Sequence, residues 1–542
     1  MTAPAAPGRA QGVVRRVLVF VILFALVVVT AIGLSGLIER AIGGWVTLAS
    51  STGGLAQSLA FTFIGGPLAG VLWWWERRRL TSGEDRDSVA WPLYLAAMST
   101  VALITATVSL ATAVNGGLDG RWLPGSVANA VVWAAVWVWH RAMRRNPGLA
   151  PTRLGDLGPV LGWVYGVGVF ASGAIAALSA LVSEALAGIT VPLAGSHPWF
   201  LPVLQSLVWA ALGGLVWWWH WRHEGARTAP GAFAAVALVI VVGAAAATTL
   251  FAIGAALYVV LRVLLDTAPL GEAIEPLDRA IAAALIGGIV WVVHARVGAT
   301  RDASTRRGAH LVVSAVALVG AASGFGVVVN ALLAALTPTL AGDNARTLLL
   351  GGLSALVVGL PVWWLTWRPG RAVAVEDAAS TARRVYLVAV FGASAITAVV
   401  TLLTIGYRIF EFVLDPGGAG GLIERIRAPF GLLAATAVVF AYHFAVWRRD
   451  RAAAAAAALP EPEAGVQSIV LVASDAPADL VPRVREATGA ASVAVWPATS
   501  GAGPADDAFL GALPAALADV SSSRVLVVAE PGGGARVVAL AG

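Results

Sequence analysis

Histidine is scarce in this 542-residue chain, seven in all, and three of the seven recur in register. His140, His220 and His294 each follow a tryptophan by three positions, in "WVWHRAMRR" from Trp137, "WWWHWRHE" from Trp217 and "WVVHAR" from Trp291. Aligning the similar clusters "WWWERRR" from Trp73, "WWLTWR" from Trp363 and "HFAVWRR" from His443 gives one column: Glu76, His140, His220, His294, Thr366 and Val446. Imidazoles at one level could relay protons or sense pH. The plainer chemistry is a histidine donating to a carbonyl at a helix end or reaching for an interface, and it is the reading preferred here. His220, His223 and Glu224 could share a metal, because residues three and four apart lie on one helix face. The spacing is not that of His-Glu-x-x-His zinc sites, and no second cluster completes a tetrahedral set. No metal or cofactor is expected.

Charges cluster near two other helix ends. Arg262 precedes Asp266 by four residues, Arg408 and Glu411 precede Asp415, and Tyr258 and Tyr407 stand eight before each aspartate. These five charges could form an extracytoplasmic vestibule; as surface pairs they would contribute only about 0.3–0.5 kcal/mol each. The strongest polar candidates elsewhere in the apolar segments are Gln57, Asn129, Gln205 and Asn330, which serve equally as interhelical glue. Near the C-terminus, Ser521, Ser522 and Ser523 with Asp475 suggest hydrolase chemistry, but no histidine lies beyond His443, which excludes a Ser-His-Asp triad within that region. Ser474 and Asp475 read as helix caps. No catalytic set is found, so an enzyme is not expected.

The elements carrying these residues are membrane helices. Of all residues 58% are hydrophobic and 12% charged, against about 25% charged in soluble domains. There is no cysteine, so thiolate sites and disulfides are excluded, and every one of the 36 basic residues is arginine. Apolar runs of about 20 residues suit a bilayer core of roughly 30 Å. They fall near 15–38, 53–75, 91–114, 125–140, 159–187, 199–220, 232–265, 277–294, 309–336, 347–366, 385–413 and 427–446, twelve in all, the fourth giving the weakest signal. Every second run ends in an aromatic and basic cluster. The chain therefore divides into six tandem two-helix hairpins, about 13–80, 88–146, 157–225, 230–298, 307–370 and 383–450. Tryptophans favour the membrane–water interface, so Trp73, Trp137, Trp217, Trp218, Trp219, Trp291, Trp363 and Trp447 are expected to anchor helix ends there.

Arginines follow the same pairing. Twenty-four lie on the side of the N-terminus and eight in the opposite loops. By the positive-inside rule both termini are expected to face the cytoplasm; the absence of lysine with the Ala/Gly/Val richness reads as the bias of a GC-rich bacterial genome, so a bacterial plasma membrane is the expected compartment. The N-terminal apolar run exceeds a signal-peptide core and fits the repeat, so it is read as a retained span. The membrane domain covers 1–450. Residues 451–465 form an Ala/Pro-rich linker, and 466–542 alternate strand and helix patterns in the order βαβαββ, a small α/β domain. The whole is an all-α polytopic membrane protein plus a small cytoplasmic α/β domain.

Together, "WWWHWR", "WVVHAR", "WWLTWR" and long first helices such as "RRGAHLVVSAVALVGAASGFGVVVNALL" resemble an uncharacterised bacterial family of multi-pass proteins, the domain of unknown function 5671. The resemblance covers roughly 88–450, 15–80 less clearly, and omits the C-terminal domain. It implies an integral membrane protein of tandem repeats and no particular activity. The first and sixth repeats depart from the histidine column, as capping units do. Two function classes remain. One is a non-enzymatic scaffold or sensor whose cytoplasmic module meets a protein partner. The other is a transporter or channel with a pathway enclosed by the hairpins. The bilayer is the expected partner, and nucleic acid is not.

Overall fold

The computed structural model describes residues 7–43, 52–83, 85–190, 198–267, 269–336, 345–367, 381–415, 421–457, 466–520 and 522–540. Ser521, part of the linker and the loop arginines Arg368 and Arg371 therefore lie outside the described residues. Contacts divide the chain into two units, Met1–Trp447 and Arg448–Gly542.

Among the described residues twelve long helices build the first unit, the last running on past Trp447: α1 (Pro7–Gly43), α2 (Thr52–Thr81), α3 (Ala90–Leu118), α4 (Pro124–Arg145), α5 (Leu157–Thr190), α6 (Phe200–His223), α7 (Ala232–Leu265), α8 (Leu277–Ala299), α9 (Ala303–Ala334), α10 (Ala345–Trp367), α11 (Thr381–Leu414) and α12 (Leu422–Ala457). Eleven are long and apolar enough to cross a membrane. The exception to the expected twelve is α4. It is helical over 22 residues, but Asn129, His140, Arg141, Arg144 and Arg145 dilute its apolar run. Lipid offers backbone groups no partners, which is why such runs fold as helices.

Consecutive helices pair as hairpins. Among the described residues, substantial packing joins helices of one hairpin or of hairpins adjacent in sequence: α1 with α4, α3 with α5, α5 with α8, α7 with α9 and α10, and α9 with α11. Contact between neighbouring units is how tandem repeats bury their faces. In the third hairpin the helices touch backbone to backbone. A side chain at Gly173 would stand 3.0 Å from the Ala210 Cα, and one at Gly213 would stand 2.9 Å from the Phe170 Cα. In lipid, where apolar surface does not drive association, such close approach is what holds helices together.

The linker expected over 451–465 begins later. α12 runs on to Ala457, because consecutive alanines have the highest helix propensity. The second unit holds β1 (Ser468–Ala473), α13 (Leu480–Thr488), β2 (Ser492–Pro497), α14 (Asp507–Leu517), β3 (Arg524–Ala529) and β4 (Ala535–Ala539), in the expected order. The sheet order is β2-β1-β3-β4, with the first three strands parallel and β4 antiparallel. Ile469, Leu471, Val525 and Val527 face α13 and α14 through Leu480, Val484, Phe509 and Leu513. Ser474 and Asp475 are not caps: α13 starts at Leu480 behind Asp479, and the capping side chain is Asp506, which accepts from the Phe509 N–H of α14 at 3.0 Å.

Candidate functional site

Histidines at the Trp-bearing ends of the even-numbered helices share one local geometry. The ring Nδ1 of His140, His220 and His294 lies 2.7–2.8 Å from the carbonyls of Val136, Val216 and Val290, four residues back. A carbonyl only accepts, so Nδ1 carries the proton and Nε2 holds the lone pair. His443 repeats this with Val439 at 2.9 Å, and the Thr366 hydroxyl donates to Val362 at 2.8 Å. The sixth member of the column is therefore His443, not Val446. The sequence signal is Val-aromatic-x-x-His. It reads Val136-Trp137, Val216-Trp217, Val290-Trp291 and Val362-Trp363, then Val439-Phe440. The sixth hairpin swaps tryptophan for phenylalanine, and the shift to Trp447 hid it.

The four histidines are buried. His140 Nε2 accepts from the Tyr94 hydroxyl at 3.0 Å. The Nε2 atoms of His294 and His443 meet aromatic rings and no hydrogen-bond donor among the described residues. His294 stacks on Trp163 at 5.4 Å, beside Trp221 and Trp217. His443 sits among Trp367, Tyr386, Tyr442 and Trp363. A pattern links hairpins: the first tryptophan of one cluster reaches the histidine of the next, Trp137 to His220, Trp217 to His294 and Trp363 to His443. Trp73 packs on Trp139 in the same way.

Tryptophans expected as anchors accordingly split by position. Trp73, Trp137, Trp217, Trp219, Trp291 and Trp363 are half-buried and pack between or within hairpins. Trp218 is 55% exposed, as are its counterparts Trp74 and Trp364 at comparable levels. Trp447 packs with Phe391 and Phe444 in the last hairpin.

The metal trio is taken apart by a π-helical turn over Trp219–His223. His220 points inward, His223 lies against the Trp219 ring at 4.3 Å, and Glu224 is re-aimed at the second hairpin. Gly225 ends the turn with φ +80°, a left-handed conformation open to glycine. The Glu224 carboxylate, 1% exposed, is clamped by Arg141 at 2.5 Å, by Arg145 at 3.0 Å and by Arg144. A cavity of about 20 Å³ beside it is lined by Thr100, Trp137, Arg141, His220 and Glu224; that is room for about one water.

A second clamp holds Asp85, 0% exposed, with Arg16 at 2.5 Å, Arg79 at 2.9 Å and Arg15 at 3.6 Å. Burial pushes the Asp85 carboxyl up, but its bonds to Arg79 and Arg16 prevail and hold it below its usual range. Both clamps escaped the sequence reading. The signal for the Glu224 clamp is three arginines on adjacent turns of α4, which need a counter-charge when buried; Asp85 instead gathers Arg15 and Arg16 of α1 with Arg79 of α2.

The outer charges form two clusters. Arg262 binds Asp266 at 3.3 Å and Glu272 at 3.2 Å and lies over the Tyr258 ring, with Thr347 on Asp266 at 3.5 Å. Arg408 binds Glu411 at 2.9 Å, and Arg425 approaches the same carboxylate at 3.8 Å. Asp415 is exposed, its backbone N–H capping Glu411. The polar candidates also part company. Gln205 donates to Asp119 at 2.7 Å, Asn129 to the Gly125 carbonyl at 3.0 Å, and Asn330 accepts from Arg427 at 3.4 Å. Gln57 is exposed on α2.

No curated protein and no solved structure matches the chain. Residues 16–123, 160–275 and 307–442 each match the family described as Domain of unknown function (DUF5671). The N-terminal hairpin, where the resemblance was less clear, is thus included. Each match opens on the first helix of an odd-numbered hairpin; the first two cover three long helices and the third reaches into a fourth. This multi-pass membrane protein belongs to the DUF5671 family, of which it carries three copies in tandem.

Proposed function

We propose that the chain is a non-enzymatic scaffold or sensor in a bacterial plasma membrane, with both termini cytoplasmic and the α/β module engaging a cytoplasmic protein. The observation that carries this is a face of the module's sheet that no element covers among the described residues of the module. α13 and α14 cover one face. On the other stand Val470, Val472, Leu526 and Val528, flanked by Trp496 at 60% and Val538 at 44% exposure. A sheet with one face in water normally turns polar residues to it. An apolar face marks a surface made to meet another. A photo-crosslinker in place of Trp496, in cells, should capture a protein partner, and Val528→Asp should abolish the capture. Unchanged capture in Val528→Asp, or none in the parent, would overturn the reading.

The alternative, a transporter or channel, finds less support. Gln205, Asn129 and Asn330 are engaged with separate partners on different helices. Proteoliposomes should leak protons and monovalent ions no faster than protein-free vesicles. A saturable flux would favour transport.

A further inference from the structure

A cavity of about 660 Å³ lies between α9, α11 and α12, within the volume range of ligand pockets. We infer that it holds the hydrocarbon chain of a phosphate-bearing membrane lipid, with the head at the Asn330–Arg427 end.

Shape and chemistry both point there. The slot extends along α9 from Ala315 to Asn330, about 22 Å at 1.5 Å per residue. Its walls are small, with Ala322, Gly326 and Ala393 where larger side chains would fill it. α9 and α12 touch backbone to backbone at Gly326 and Gly431. Three of the four hydroxyls on its surface, all but that of Ser323, are spent on their own helices. Ser394 donates to Val390 at 2.7 Å, Thr397 to Ala393 at 2.9 Å and Thr436 to Leu432 at 2.9 Å. The slot therefore presents methyl and methylene groups, a surface that water does not wet.

It is blind toward the aromatic end. Val390 and Val439 are lining residues, and behind them stand Tyr386, Tyr442, Trp363 and Trp367 around His443. The outer half of α11 stands open to lipid, with Leu402, Leu403, Phe410 and Val413 58–69% exposed. A chain entering beside it has only hydrocarbon to displace. At the open end the Asn330 side chain and the Arg427 guanidinium, 3.4 Å apart, offer N–H donors to phosphate or ester oxygens. A slot of this length exceeds one leaflet of a roughly 30 Å core, so a diacyl phospholipid and a polyprenyl phosphate are both candidate sources of the chain.

The test uses the full chain in nanodiscs containing a phosphatidylglycerol with a diazirine near the end of one acyl chain. After irradiation, adducts should concentrate on residues 315–330, 389–397 and 428–439. Ala322→Phe and Ala393→Phe should lower that labelling at least ten-fold, while Val236→Phe on α7 leaves it unchanged. Excess unlabelled phosphatidylglycerol or polyprenyl phosphate should compete, and the stronger competitor identifies the source. Labelling that follows exposed α11 residues alone, or that neither lipid competes away, would overturn the assignment. Mapping on the unmodified chain keeps the test decisive if a filled variant fails to fold.

Discussion

Glu224→Gln is the sharpest perturbation that the structure offers. The carboxylate is 1% exposed and joins the third hairpin to Arg141 and Arg144 of the second, which are 21% and 20% exposed. Arg145, at 45% exposure, is screened by solvent and adds little. Removing one partner of a buried ion pair costs about 3–5 kcal/mol, because the other charge stays buried and uncompensated. Here the residual exposure of the arginines argues for the lower figure, about 3 kcal/mol. For a large domain each kcal/mol moves the melting temperature by about 2 °C, so the expected drop is about 6 °C. The assay is thermal unfolding in detergent, followed by tryptophan fluorescence. Adding Arg144→Met to Glu224→Gln should recover part of the loss, since it removes a charge left unpaired. A shift under about 1 °C in the single variant, or losses that simply add in the double, would refute the clamp.

Four further outcomes are expected. Gly173→Val should disrupt the third hairpin, because its side chain meets the backbone at Ala210; loss of the monodisperse peak on size exclusion checks it. Trp217→Ala should lower stability by about 3 kcal/mol or more as packed ring contacts go, and the exposed Trp218→Ala by much less, measured by the same unfolding. Asp85 sits below its usual 3.8 when folded, so its contribution is complete above the unfolded value and fades as pH falls through the folded one. Asp85→Asn should therefore lower the melting temperature near neutral pH, and the gap to the parent should close in acid; a gap that widens there contradicts the assignment. Reporter fusions after residues 270 and 450 should report opposite sides of the membrane.

Periodicity made the hairpins legible because a bilayer imposes length and apolarity on each span. The signal was weakest at α4 because three arginines that look like loop charges belong to its last turns and point at Glu224. The histidine column was visible in three hairpins and misplaced in the sixth, where matching tryptophan to tryptophan overrode the valine that accepts the Nδ1 bond. Hydropathy could not locate the clamps, since Asp85 and Glu224 sit in charged segments and only the fold brings arginines from another helix to them. The π-helical turn that aims Glu224 leaves no mark in local pattern. The helix caps failed at Ser474 and Asp475 because the chain takes five more residues to reach α13.

The hand-over of tryptophan to histidine at three of the hairpin junctions has a consequence for synthesis. A hairpin leaving the ribosome carries an indole whose mate has not yet been made. Trp137 waits for His220, and Trp217 for His294. Each new hairpin closes the interface of the one before it and opens another, so the array is completed in the order in which it is translated. Lengthening or shortening it by whole units preserves every junction but the one that is cut.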